Sequence, residues 1–177
     1  MTKEFRQPDE IISEHLVLRK SVDERDLENY LMHIRQADEF YFQYGQPYSD
    51  ELYSAINFHY SEVIYFTVFL KDTDIMVGYV GIMPECEFAQ GEIEGYIFKE
   101  YRRKHYAAEA LRALIDWYLS LETESEEPRN IYSREVPENE PCIKLMQHLG
   151  FTEAARGMTG SCAFILYELN KGVFWSR

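Results

Sequence analysis

Residues 92–119 read EIEGYIFKEYRRKHYAAEALRALIDWYL, in which three kinds of segment follow one another. The opening EIEGYIFK is rich in β-branched and aromatic residues, which predicts a strand. From Ala107 onward, Ala110, Leu111, Leu114, Ile115 and Tyr118 recur at the spacing of a helix that buries one face. Between them lies the basic loop RRKHYA. A strand that turns into a helix through so short a loop leaves the first backbone N–H groups of the helix pointing outward, and such a terminus binds anions. Arg102, Arg103 and Lys104 place three cations beside it, and each charge at a helix end contributes about 0.3–1 kcal/mol. A pyrophosphate group suits this arrangement, although a solvated charged turn would use the same residues.

Upstream, HLVLRK (15–20) predicts a first strand, after which Ser21 and Glu24 have the spacing of a capping box. Leu27, Tyr30, Leu31 and Ile34 then recur at helical spacing, so a helix is expected to about Arg35, with a second, shorter one after Ser49. Gly45 and Pro47 break the aromatic stretch around them into turns. EVIYFTVFLK (62–71) and IMVGYVGIM (75–83), separated by Asp72, Thr73 and Asp74, predict an antiparallel hairpin. Its nearly unbroken apolar character implies burial on both faces.

Downstream, TESEEPRN (123–130) predicts an exposed loop and IYSREV (131–136) a strand. CIKLMQHL (142–149) predicts a short helix, introduced by Asn139 and Pro141 and ended by Gly150 in a left-handed C-cap. Extended structure resumes at Phe151, turns at Gly157 to Gly160, and closes with CAFILYEL (162–169). The expected order is β-α-α-β-β-β-α-β-α-β-β, without repeat or linker. Residues 1–177 therefore read as one α/β (α+β) domain, a mixed and mostly antiparallel sheet of about six to seven strands with helices on both faces.

A length of 177 residues suits one domain that buries roughly 70% of its unfolded surface. With 46% hydrophobic residues the chain folds despite a net charge of −13. The 31 Asp and Glu against 18 Lys and Arg oppose nucleic-acid binding, which needs clustered positive charge. The surplus suits a cationic substrate, or serves only solubility. No run reaches the roughly 18 apolar residues of a membrane span, and MTKEFRQPDEIISE lacks an apolar leader, so a cytoplasmic protein off the membrane is expected. Cys86, Cys142 and Cys162 are too scattered for a disulfide framework, and with the five histidines they form no metal-ligand spacing, so no metal is expected.

Taken with NEPCIKLMQHLGF (139–151), the strand-loop-helix unit resembles the GNAT N-acetyltransferases. It is most similar to the branch containing the ribosomal-protein alanine acetyltransferases, which shows EIGY, EYRGKGYATEAL, N-x-x-S-I-x-L and LGF in this order. HLVLR, the hairpin ending IMVGYVGI and the last strand extend the likeness over most of the chain, least over residues 36–61. The resemblance implies acetyl-CoA as co-substrate and, as acceptor, an amine-bearing small molecule or a polypeptide N-terminus, with a homodimer left open. It assigns Arg102, Arg103, Lys104, His105, Tyr106 and Ala107 to the pyrophosphate loop, with Ala108 continuing the helix. It gives the backbone of Ile97, Phe98 and Lys99 to the pantetheine arm and Asn139 to the coenzyme, although a helix N-cap would claim the same side chain. His105 departs from the pattern, standing where glycine is expected. A positive φ there would cost about 1–2 kcal/mol. The preferred reading is a negative φ with the side chain outward, adding a donor near the phosphates.

Acetyl transfer by direct attack needs a neutral amine, a polarised carbonyl and a proton donor for the departing thiolate. A strand N–H can hold the carbonyl. Glu92 and Glu94, two apart and so on one face of their strand, are the candidate bases, with the choice between them open and ordinary solvent-facing acids the alternative. The family often supplies a helical tyrosine as donor, but Met146 stands there and cannot donate. Cys142 replaces the family's serine and could hydrogen-bond the thiolate, its free pKa near 8.5 matching that of the leaving thiol. Equally, it could be a small buried thiol. Phe40, Tyr41 and Tyr44 occupy the region of the family's acceptor pocket, and aromatic faces attract cations. A second class stays open: with the glycine and the tyrosine both replaced, the chain could bind coenzyme A or a peptide without turnover.

Overall fold

The structure, a computed structural model, describes residues 7–21, 32, 49, 63–84, 91–121, 130–160 and 162–170. Their elements are β1 (Glu10–Ile12), β2 (Leu16–Lys20), β3 (Ile64–Leu70), β4 (Met76–Met83) and β5 (Glu92–Ile97), then α1 (Tyr106–Ser120), β6 (Asn130–Glu135), α2 (Glu140–Leu149), β7 (Thr152–Thr159) and β8 (Cys162–Asn170). The helices expected before Arg35 and after Ser49 lie outside the described residues, as does nearly all of the acidic loop before β6.

Eight strands form one sheet in the order β1-β2-β3-β4-β5-β6-β8-β7. Every neighbouring pair is antiparallel except β5 with β6. The strand beyond expectation is β1, whose three residues lie in a polar stretch with too short an alternation to be read locally. It is recruited by pairing, Glu10 opposite Arg19, with the two side chains 3.1 Å apart. The final hairpin is also tighter than expected. β7 continues through Gly157 to Thr159, and Gly160, at φ 59, takes the turn.

Residues paired across neighbouring strands share a face of the sheet. The register Phe66↔Val80↔Gly95, with Ile82↔Ile93, therefore defines an apolar face, and the pair Glu92↔Tyr132 carries it on through Ile131. α1 lies on this face and buries Ala110, Leu111, Leu114, Ile115, Tyr118 and Leu119 against it, each large side chain contributing about 1.5–3 kcal/mol. Gly95 permits the close approach, since a Cβ there would stand 3.2 Å from Val80 and 3.4 Å from Leu111. α2 joins the same layer through Met146 and Leu149. Its end is built as expected, with Gly150 at φ 98 donating to Gln147 O and Phe151 N–H to Met146 O. Both described helices thus cover one face. The opposite face presents Tyr65, Thr67, Tyr79, Glu92, Glu94 and Tyr96.

Candidate active site

The parallel neighbours β5 and β6 register at a single position, Glu92↔Tyr132, where Tyr132 N–H donates to Gly91 O at 2.7 Å. β5 pairs with β4 at six positions over the same stretch, Gly78↔Ile97 to Met83↔Glu92. Beyond Glu92 the two strands separate, opening a gap in the sheet. Strand alternation aims the backbone groups of Gly95 and Ile97 into that gap. Phe98, expected to serve a ligand through its backbone, instead gives its N–H to Val77 O on the β4 side. Lys99 opens a turn of 3₁₀ helix. Of the positions expected to meet the pantetheine arm, Ile97 borders the gap by its amide, and Gly95, which motif matching missed, joins it.

The loop after β5 is bent back onto the strand. Arg102 Nε donates to Ile97 O at 2.8 Å, and its guanidinium lies 5.2 Å from the centre of the Tyr96 ring. Arg103 and His105 both adopt left-handed conformations, φ 62 and φ 63. The preference for a negative φ at His105 is therefore corrected. α1 begins at the next residue, and reversing the chain within so few residues requires the left-handed state whatever the side chain. Arg103, Lys104 and His105 are exposed, and the first-turn N–H groups of Tyr106, Ala107 and Ala108 have no helical acceptor behind them. Amides and cations together suit a pyrophosphate. Ser13 Oγ and His15 N–H both donate to Glu109 Oε1 at 2.6 Å, which ties the first turn of α1 to the β1–β2 turn and holds the Glu109 carboxyl below its ordinary range despite partial burial.

On the opposite face, the row Tyr65↔Gly81↔Glu94 crosses three strands. Gly81 has no side chain, and a Cβ there would lie 2.7 Å from the Tyr65 ring. The ring consequently passes over β4, and its hydroxyl donates to Glu94. Burial pushes the Glu94 carboxyl up to about 7, more than the Tyr65 hydrogen bond lowers it, with neighbouring Glu92 adding to the rise. The residue keeps some surface while its carboxyl is enclosed. Glu92 faces Arg134 at 3.5 Å. The two candidate bases therefore differ in kind.

A second enclosed acid, unremarked in the sequence, is Glu135 at the end of β6. Ser133 Oγ donates to it at 2.6 Å. Burial pushes it up to about 7, opposed by hydrogen bonds from Ser133 and Cys142 and assisted by Glu92. Cys142 is itself pushed up to about 12, by burial first and by Glu135 next. Its expected match to a leaving thiol is thus corrected, because that value was one for a solvated cysteine. Asn139 is the N-cap of α2, its Oδ1 accepting from Cys142 N–H at 3.3 Å. Met146 sits in the core, 3% exposed. Phe40, Tyr41 and Tyr44 lie outside the described residues. Among the described residues no helix is long and apolar enough to cross a membrane.

Residues 15–152 match the family model described as an acetyltransferase (GNAT) domain. Known structures with the same fold include an acetyltransferase from Agrobacterium tumefaciens, 20% identical over 96% of this chain and 98% of that one, TM-score 0.72. A ribosomal-protein-S5-alanine acetyltransferase from Vibrio fischeri is 21% identical over 91% and 96%, TM-score 0.66. A spermidine N-acetyltransferase from Vibrio cholerae, in complex with CoA and spermine, is 19% identical over 91% and 98%, TM-score 0.67. No curated protein matches significantly in sequence. The chain belongs to the GNAT acetyltransferase family and is an acyl-CoA-dependent acetyltransferase.

Proposed function

We propose that this enzyme transfers an acetyl group from acetyl-CoA to a polypeptide α-amino group by direct attack, with Glu94 as the base. The observation that carries the reading is the enclosed, Tyr65-bonded carboxyl of Glu94 on β5, the strand that borders the gap. Acetyl-CoA supplies the activated acyl group. The exposed cations of the loop, with the first-turn amides of α1, hold its pyrophosphate. Gly95 and Ile97 offer backbone groups to its arm and to the thioester carbonyl. Glu94 takes the proton of the attacking amine, directly or through one water, and Glu92, paired with Arg134, adds to the proton affinity that burial gives Glu94.

The acceptor class follows from matching proton affinities. A base near 7 receives a proton from an α-ammonium of pKa about 8 against only ~1 unit, but from a lysine-like ammonium of about 10.4 against ~3.4 units. The net charge of −13 favours a polycation instead, and spermine accompanies one protein of this fold. A competition between a peptide with a free N-terminus and spermine, at equal concentration near pH 7 with acetyl-CoA, tests the choice. Faster acetylation of the peptide is expected. Faster acetylation of spermine, with a flat profile from pH 7 to 9, would overturn it.

A further inference from the structure

Direct transfer leaves a proton to be delivered to the departing sulfur, and the helical position that serves elsewhere in the family holds Met146, buried in the core. The register across the gap shows what stands in its place. Because Glu92 pairs with Tyr132, the residues Glu92, Glu94 and Tyr96 share a face with Tyr132 and Arg134, whereas Ile93, Gly95 and Ile97 share the other with Ile131, Ser133 and Glu135. Glu94 and Glu135 therefore project from opposite faces of the sheet. Glu135 lies on the side of α1 and α2. There its carboxylate accepts from Ser133 Oγ at 2.6 Å and from the Cys142 thiol, a bond that reverses once the carboxyl is protonated, while Arg102 from the loop acts on that thiol electrostatically. The N-cap bond from Cys142 N–H to Asn139 holds the backbone of Cys142 at the head of α2.

Resting on the proposed direct transfer, we infer that Glu135 and Cys142 form a proton relay on the coenzyme side of the gap, which delivers a proton to the leaving sulfur while Glu94 collects one on the acceptor side. The amine nitrogen bonds to the carbonyl carbon, and the carbon–sulfur bond breaks with its electron pair on sulfur. Glu94 takes the amine proton. Cys142 Sγ passes its proton to the sulfur and takes the Glu135 proton in the same step. Glu135 ends ionised and Glu94 protonated, and water returns one proton to Glu135 and removes one from Glu94.

Neither member suffices alone. A thiol near 12 would give its own proton to a thiolate of pKa about 8.5 uphill by ~3.5 units, whereas a carboxylic acid near 7 supplies it downhill by ~1.5. Among the described residues, two charged groups act on the pair: Glu92 of β5, from the other face, adds to the rise that burial gives Glu135, and Arg102 from the loop opposes the rise of Cys142; from β8, Glu135 meets apolar Ile165.

Two measurements test the relay in wild type, Glu135→Gln and Glu135→Asp, with thermal melting to verify folding. First, without coenzyme, iodoacetamide labelling of Cys142 is followed by peptide mass spectrometry near pH 8. Removing the carboxylate is expected to speed labelling about tenfold, as a one-unit fall in thiol pKa would. Second, kcat is measured against pH with saturating acetyl-CoA, using a free-N-terminus peptide and spermine. Wild type is expected to lose activity as Glu135 ionises above pH 7. Glu135→Gln is expected to lower kcat about 100-fold and to abolish that alkaline fall, with KM for acetyl-CoA nearly unchanged and partial rescue by Asp. Unchanged labelling, or an alkaline fall that persists in Glu135→Gln, overturns the relay. Absence of transfer to either amine by wild type would refute the proposed function instead, and the labelling would still decide whether Glu135 controls Cys142.

Discussion

Replacing Glu94 by Gln should stabilise the protein while disabling it. The carboxyl has an ordinary value of 4.5 and stands at about 7 in the fold. Each unit is worth ~1.4 kcal/mol, so holding Glu94 ionised costs the native state about 3 kcal/mol. Between these two values the folded protein keeps a proton that the unfolded chain has lost. Stability therefore falls as pH rises through that window, and the whole cost is present above pH 7. Gln cannot ionise, yet its amide oxygen can still accept from the Tyr65 hydroxyl. Glu135, raised in the same range, contributes equally to both proteins and cancels from the difference. Urea unfolding at a series of pH values is expected to show near-equal stability around pH 4 and an advantage of up to about 3 kcal/mol for the variant around pH 8. Acetyl transfer should drop about 10²–10⁴-fold. A stability difference that stays constant between those pH values, or a variant that is the less stable at pH 8, would refute the assignment of an enclosed carboxyl here.

The Tyr65 hydroxyl lowers the Glu94 value, so Tyr65→Phe should move the acid limb of the kcat profile to higher pH. Gly81→Ala, whose Cβ would stand 2.7 Å from the Tyr65 ring, should do the same and cost about 1–3 kcal/mol in unfolding experiments. Arg103→Ala should weaken acetyl-CoA binding by calorimetry about two- to fivefold at low salt, as one exposed charge at a helix end implies. Arg102→Ala should weaken it more, because that guanidinium also ties the loop to Ile97. His105→Gly relieves a left-handed non-glycine residue, so it should raise stability by about 1 kcal/mol in thermal unfolding. Its effect on coenzyme affinity should stay below about tenfold.

Local patterns carry the unit that defines the family. The β-branched and aromatic residues of EIEGYIFK, the stripe from Ala107 to Tyr118 and the cations between them depend on residues adjacent in the chain, and the structure has the strand, loop and helix within a residue or two of where they were expected. The same holds for Asn139 and Gly150 at the two ends of α2. Backbone conformation inside the loop was not legible, because whether His105 takes a positive φ depends on how sharply the chain must reverse before α1.

The acids required tertiary structure altogether. Glu92 and Glu94 are equivalent by sequence, two residues apart on one face. One becomes enclosed because Tyr65, 29 residues earlier and two strands away, reaches it across a glycine of the strand between, and the other meets Arg134 on a strand 42 residues later. Glu135 is an unremarkable acid until Ser133 and the head of α2 close over it. Proton affinity is set by what surrounds a carboxyl and removes its water, and those neighbours come from distant parts of the chain. The sequence by itself therefore determined the family, the strand-loop-helix unit and the candidate acids Glu92 and Glu94, whereas only the folded sheet decided which acids are enclosed and from which face of the sheet each one projects.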